Sequence, residues 1–413
     1  MPGLTIAEKI LSQHTEGIAR AGALIVADVD AVMASDTTAP LAIKAFEEMG
    51  GGRIWNPERC YFVIDHAAPA PNERIAALHT LMRNFAAEHG CPLYDAGAGI
   101  CHQLMVEQGH VEPGMLFVGA DSHTCTYGSL CAFATGVGST DLAAVMHTGQ
   151  IWMRVPQTIR IWVDGTLSPG LSAKDLTLAI VGRVGLSGAT YHALEFAGPA
   201  IEQLTLSSRM TLANMAIEMG AKAGIVHPAG LDLPSEVTEG LLPDDDAVYL
   251  KTLRFDASSL LPQISRPHMP DQVTDLAEVV GTPVDVAFIG TCVNGRLEDL
   301  HAAAEVLEGK QIPATVRLMV APASKEVFLE AMMDGTAQIL TRAGATFLPS
   351  GCGPCVGTHN GVPGPQETVI STGNRNFRGR MGNPSASVYL ASPTTVAASA
   401  LAGHIIHPLT GGQ

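Results

Sequence analysis

Aromatic side chains are scarce in this chain: Phe, Trp and Tyr make up 5% of 413 residues, while 46% of the residues are apolar. The core must then be packed with Ala, Val, Leu and Ile, which fits α/β units. Positive charge is thin as well. Lys and Arg number 24 against 40 Asp and Glu, for a net charge of −16, and no dense basic run occurs, which argues against a nucleic-acid surface. No window approaches the ~20 apolar residues of a membrane span, and the N-terminus has no basic stretch followed by an apolar run and a cleavage site. The expectation is a soluble cytoplasmic protein with neither a membrane nor a nucleic acid as partner. Short-period repeats and low-complexity tracts are missing too, which excludes a solenoid.

The length predicts two or three domains and a large core. A disulfide framework is not expected of the eight cysteines, because the cytosol is reducing and a core of this size needs no staples. Thr5 to Glu8 and Ser172 to Asp175 read as capping boxes, each opening a helix. Strand-like runs such as Cys60–Ile64 and Met115–Val118 alternate with helical stretches such as Ile75–His89, the signature of βαβ units on a mostly parallel sheet. Punctuation at Gly165–Pro169 and a proline-rich segment from Pro228 to Pro283 place domain boundaries near 157/158 and 283/284, giving units 1–157, 158–283 and 284–413. The acidic run Asp244 to Asp246 reads as a solvated loop, since three adjacent side chains do not converge on one ion.

Three cysteines stand apart. Cys292 follows the apolar run Val286–Gly290, and Cys352 and Cys355 follow Ala345–Leu348 in the run Ser350 to Cys355. Three thiolates on convergent strand ends suit a metal cluster and are one fewer than a fully ligated four-iron cluster takes from protein, leaving one iron open. The same Cys-Gly-Pro-Cys serves elsewhere as a dithiol redox motif, and a zinc site closed by His359 is a further reading. Cys60, Cys91, Cys101 and Cys131 read as packing thiols, while Cys125, between two threonines beside His123, leaves its placement open. Polar residues also gather at strand ends: Asp65 and His66, Asp121 to His123, Asn374 and Arg375. In open parallel sheets that is where ligands bind, so these groups and the cysteine loops are expected in one cleft.

Together these segments resemble the aconitase superfamily, most closely the branch of 3-isopropylmalate dehydratase and homoaconitase in which the large subunit is a separate chain. The resemblance runs through Asp65–His66 with Pro69 to Glu73, Gly99 to His102, Gly119 to Thr124, Gly136 to Gly138, Glu195, Ile289 to Arg296, Ser350 to Cys355 and Asn374 to Arg380. It implies an aconitase-like fold of three α/β domains with mostly parallel sheets around a cluster-binding cleft. It further implies that Cys292, Cys352 and Cys355 hold a 4Fe-4S cluster whose open iron acts as a Lewis acid. His66, oriented by Asp65, is the implied acid for the leaving hydroxyl, with His102, Asp121, His123 and Glu195 lining the same site. Ser35, Asp36, Ser122, Asn374, Arg375 and Arg380 are the implied substrate contacts, the guanidinium groups suiting carboxylates.

The implied activity is that of a hydro-lyase on a hydroxy-dicarboxylate substrate, 3-isopropylmalate first, with homoaconitase or methylmalate/dimethylmaleate hydratase chemistry as the alternative. A non-catalytic iron-sulfur or zinc module is the reading of a different class. Full-length aconitases carry a fourth, swivelling domain whose Gly-Ser-Ser-Arg-type loop supplies the base, and no equivalent occurs here. A separate small subunit with the catalytic serine loop is therefore the implied partner. Ser35, where the family has His or Gln, is a departure that bears on specificity.

Overall fold

The computed structural model describes residues 2–408. The first helix, Ile6–Gln13, starts where the capping box predicts: Glu8 N donates to Thr5 Oγ1 and Thr5 N to the Glu8 carboxylate. Helix Ala173–Val184 is capped by Ser172 and Asp175 in the same way. Two orphan donors are satisfied at each site, so four residues of sequence suffice to fix these starts.

Three sheets follow in chain order. A five-stranded parallel sheet runs Leu93–Tyr94, Cys60–Val63, Ala31–Ser35, Leu116–Gly119, Phe133–Gly136. A four-stranded parallel sheet runs Ala223–Val226, Ala193–Ala197, Thr158–Asp164, Lys251–Asp256. A seven-stranded sheet runs Val273–Asp275, Gln263–Ser265, Ser387–Leu390, Thr368–Ser371, Val286–Ile289, Arg317–Val320, Thr346–Phe347, parallel except at the edge formed by its first two strands. Those two edge strands come from the proline-rich segment ahead of residue 284. Every position of Cys60–Val63, Ala193–Ala197 and Val286–Ile289 is buried, as expected for parallel strands covered on both faces. An antiparallel ribbon pairs Leu24–Asp28 with Gln150–Arg154, segments on either side in sequence of the first sheet's strands. No helix among the described residues is long and apolar enough to cross a membrane.

Strand order locates the cleft. In the first sheet the chain winds outward from Ala31–Ser35 to Cys60–Val63 and Leu93–Tyr94, then resumes on the other side at Leu116–Gly119. The seven-stranded sheet reverses likewise between Val286–Ile289 and Thr368–Ser371. Loops part at such switch points and open a crevice at the carboxyl ends of the strands. Asp36 and Asp121 lie at the first reversal, and Cys292 and Asn374 at the second.

Candidate active site

Cys292 leaves strand Val286–Ile289 through Gly290 and Thr291, which adopts the left-handed φ of 73°. A β-branched residue there is unusual and marks a backbone held by its surroundings. Cys352 and Cys355 flank and enter a 3-10 turn, Gly353–Val356. Cys352 N donates to the Asp65 carbonyl at 3.0 Å, and a Cβ on Gly351 would sit 2.9 Å from that oxygen, so the residue ahead of Cys352 has to be glycine.

All three cysteines are buried and free. Burial, with the neighbouring Cys355 sulfur, pushes the Cys292 thiol up to about 12, and burial raises Cys352 too, so neither ionises readily without a cation. Yet N–H donors are aimed at the sulfurs. Asn214 Nδ2 lies 3.2 Å and Asn374 Nδ2 3.3 Å from Cys292 Sγ, and Arg380 Nη2 lies 3.7 Å from Cys355 Sγ. Donors placed this way serve sulfurs that accept, as metal-bound thiolates do. The donor set therefore fits an iron-sulfur cluster. A zinc site closed by His359 is not built: its Nδ1 is 3.0 Å from Thr358 Oγ1 and its Nε2 3.1 Å from the Ala68 carbonyl.

Beside the thiols stand three imidazole–carboxylate pairs. His66 Nδ1 is 2.7 Å from Asp65 Oδ1, and ligand atoms of Asp65, His66 and Cys352 lie within 4.8 Å of one another. His66 Nε2 faces Asp121 Oδ2 at 3.3 Å, while Asp121 Oδ1 lies 2.8 Å from His102 Nε2. Asp121 thus bridges two histidines. Burial alone would lower His66; Asp65, Cys352 and Asp121 outweigh it and raise its pKa well above the usual value. Burial likewise opposes ionisation of Asp121, and the His102 and His66 rings reverse that, holding the carboxyl well below the usual range. The third pair is His123 Nε2 with Glu218 Oε1 at 2.9 Å. Burial and the Arg375 guanidinium bring His123 down to about 4, so its ring is neutral.

The remaining expected residues divide. Asn374 touches both Cys292 and Cys355, and Arg375 Nε donates to both Glu218 oxygens at 2.7 and 2.9 Å. Ser122 reaches His123 Nδ1 at 3.4 Å. Ser35 is buried, with its hydroxyl against Thr37 and Thr38. Asp36 accepts from the backbone N–H groups of Asp65, His66 and Ala67 and faces His79 Nε2 at 3.2 Å. It braces the His66 loop from below rather than presenting an open carboxylate. Glu195 is not brought to the cysteines: Ile6 N donates to one of its oxygens and the Tyr249 hydroxyl bonds the other. The carboxylate paired with His123 is Glu218, which sequence reading passed over together with Asn214. Their signal was available, two polar residues inside the otherwise apolar run Leu212 to Met219, both buried. Cys125, left open above, donates to the Asn214 carbonyl at 3.3 Å and so lies beside the site.

The profile of the aconitase family (aconitate hydratase) matches residues 8–231 and 277–403. The chain is 48% identical to 3-isopropylmalate dehydratase large subunit 1 of Methanopyrus kandleri, over 98% of this chain and 99% of that one. It is 50% identical to a probable methanogen homoaconitase large subunit of Methanosarcina mazei, over 93% and 99%, and 47% identical to the homoaconitase large subunit of Thermus thermophilus, over 98% and 97%. The α/β fold and these matches define a hydro-lyase of the iron-sulfur kind. The chain belongs to the aconitase family.

Proposed function

We propose that this chain is the large subunit of a dehydratase that removes water from, and returns it to, a hydroxy-dicarboxylic acid, with 3-isopropylmalate as the leading substrate. The observation that carries the reading is the set of amide and guanidinium donors aimed at Cys292 and Cys355 beside the Asp65–His66 pair. Cys292, Cys352 and Cys355 would hold a 4Fe-4S cluster. When bound, it supplies a Lewis-acidic iron that no cysteine occupies.

The chain's own residues handle binding and the proton. His66, charged near neutral pH and fixed by Asp65, gives a proton to the departing hydroxyl, which leaves as water. Asp121, itself held by His102, faces Nε2 of the same ring. Arg375 and Arg380 present planar guanidinium groups for substrate carboxylates, and Ser122 adds a hydroxyl. We assign removal of the carbon-bound proton to a serine loop on a separate small subunit; the relatives' designation as large subunits supports that partner. Three units, 1–157, 158–283 and 284–413, are part of the same reading; the three sheets support it except between 263 and 283, where strands Gln263–Ser265 and Val273–Asp275 pair with the third sheet and not the second. A cytoplasmic location also belongs to it.

Homoaconitase chemistry is the second reading, favoured by the near-equal identities of 48% and 50% to relatives of the two names. The test is anaerobic reconstitution with the cognate small subunit. Expected are about four irons per chain, turnover of 3-isopropylmalate exceeding that of homocitrate-type acids, and no turnover by the large subunit alone. Robust turnover without the partner would sink the serine assignment, and bound zinc in place of iron would sink the cluster.

A further inference from the structure

Lys174 is the second residue of helix Ala173–Val184, and its side chain is fully buried. Its Nζ donates to the carbonyl oxygens of Thr372 and Gly373, each at 2.7 Å. Those are the two carbonyls immediately ahead of Asn374 and Arg375. Upstream, Thr372 is pinned to the cysteine-bearing loop: its N–H donates to Phe288 O, its hydroxyl donates to Gly290 O, and it accepts from Gly290 N, all at 3.0 Å. Downstream, Asn376 Nδ2 donates to Ser265 Oγ, Arg266 O and Val388 O. Between these anchors Gly373 would be a pivot, since glycine carries no side chain to restrain its torsions. The Ser371 hydroxyl accepts the Gly373 N–H at 2.9 Å, and the lysine takes up both carbonyls, which are the side of the turn that Ser371 leaves unheld.

Burying an ammonium is costly, and apolar packing does not call for one. Burial pulls Lys174 down to about 7, partly offset by the charges of Asp299, Cys292 and Asp175. Helix Ala173–Val184 belongs to the second sheet's unit, whereas residues 372–375 extend a strand of the third, so the contact also fixes one unit against the other.

We propose that Lys174 is a positioning residue, which holds the carbonyls of Thr372 and Gly373 so that Asn374 meets Cys292 and Arg375 is aimed for the substrate carboxylate. This rests on the cluster-centred reading above, and two readouts separate its failure from that of the reading. The first needs no cluster. In Lys174→Met, amide hydrogen exchange of peptides covering 371–377 should accelerate in cluster-free protein, while peptides of strand Cys60–Val63 keep their wild-type rates. The second uses reconstituted large and small subunits: iron content should stay at the wild-type level, kcat/KM should fall roughly 10- to 100-fold, mainly through KM, and any change that added substrate makes to the EPR spectrum of the reduced wild-type cluster should be lost in the variant. Lys174→Gln, with one amide donor and no charge, should fall between the two and serves in place of the Met variant should that one fail to fold. A folded variant with wild-type exchange over 371–377 and kcat/KM within twofold of wild type would overturn the proposal. Wild-type protein that takes up no iron overturns the cluster reading instead, and the exchange measurement still decides the role of Lys174.

Discussion

One carboxylate, Glu218, serves both His123 and Arg375: its Oε1 lies 2.9 Å from His123 Nε2 and 2.7 Å from Arg375 Nε. His123 follows a strand of the first sheet and Arg375 a strand of the third, while Glu218 lies between two strands of the second, so one side chain joins the ends of two other sheets. Burial alone would raise Glu218; the hydrogen bond with His123 and the charge of Arg375 offset it and keep the carboxyl below the ordinary range. Glu218→Gln keeps the shape and removes the charge. Losing a hydrogen bond to a charged partner costs about 1.5–3 kcal/mol, which corresponds to roughly a 10- to 150-fold fall in kcat/KM. Steady-state kinetics of the reconstituted pair checks this, and a change smaller than threefold would remove Glu218 from the site.

Local signals were the legible ones. Thr5 and Ser172 announce their helices because a capping box is satisfied within four residues, and the cysteines stand out because each follows an apolar run. Glu218 offers only a weaker signal, a carboxylate inside an apolar run, and its partners lie 95 and 157 residues away, so the run marks a buried polar group without showing what it meets. Glu195 drew the assignment instead. A strand position among apolar neighbours does not reveal that the chain's N-terminal helix and Tyr249 occupy both oxygens. The edge strands Gln263–Ser265 and Val273–Asp275 were hidden for a related reason: prolines around them read as loop, and proline is tolerated at sheet edges.

The cysteines are expected to differ sharply in what they hold. Cys292→Ser should lose most of the iron and the visible absorption after anaerobic reconstitution, since serine is a poor substitute for a soft thiolate. Cys125→Ser should keep both, because a hydroxyl there still donates to the Asn214 carbonyl. Iron and sulfide analysis of the two proteins side by side makes the comparison. Equal iron in both would refute Cys292 as a ligand.

Asp36 is expected to matter for stability and activity at once. Its carboxylate takes three consecutive backbone N–H groups from the His66 loop, and the charge of His66 together with those bonds outweighs burial and keeps its pKa below the usual value. In Asp36→Asn the amide nitrogen faces backbone donors it cannot accept from, a loss of about 1–3 kcal/mol. Urea unfolding should show that loss, and kcat should drop more than KM rises because the acid His66 moves. Asp36 contributes stability that is present above the unfolded carboxyl pKa and lost as pH falls through the lower folded value. The gap between wild type and variant should therefore narrow on acidification, and a gap independent of pH would contradict the assigned contacts.

Glu195 has the opposite sign. Burial pushes its carboxyl up to about 7, against the ordinary 4.5, with Tyr249 and the Ile6 N–H only partly compensating. The folded state thus binds a proton that the unfolded chain has released between those two values, so its contribution is full below 4.5 and is lost as pH rises towards 7. A shift of this size amounts to ~3 kcal/mol. Glu195→Gln, uncharged at every pH and able to keep an oxygen for Ile6 N and an amide for Tyr249, should match wild type near pH 4.5 and exceed it increasingly up to pH 7. Above that the difference should level off. Urea midpoints of the two proteins across this range measure it directly, and turnover should stay within a few-fold, because Glu195 sits against the first helix and Tyr249 rather than among the thiols. A large loss of kcat in a stable Glu195→Gln protein would return this residue to the active site.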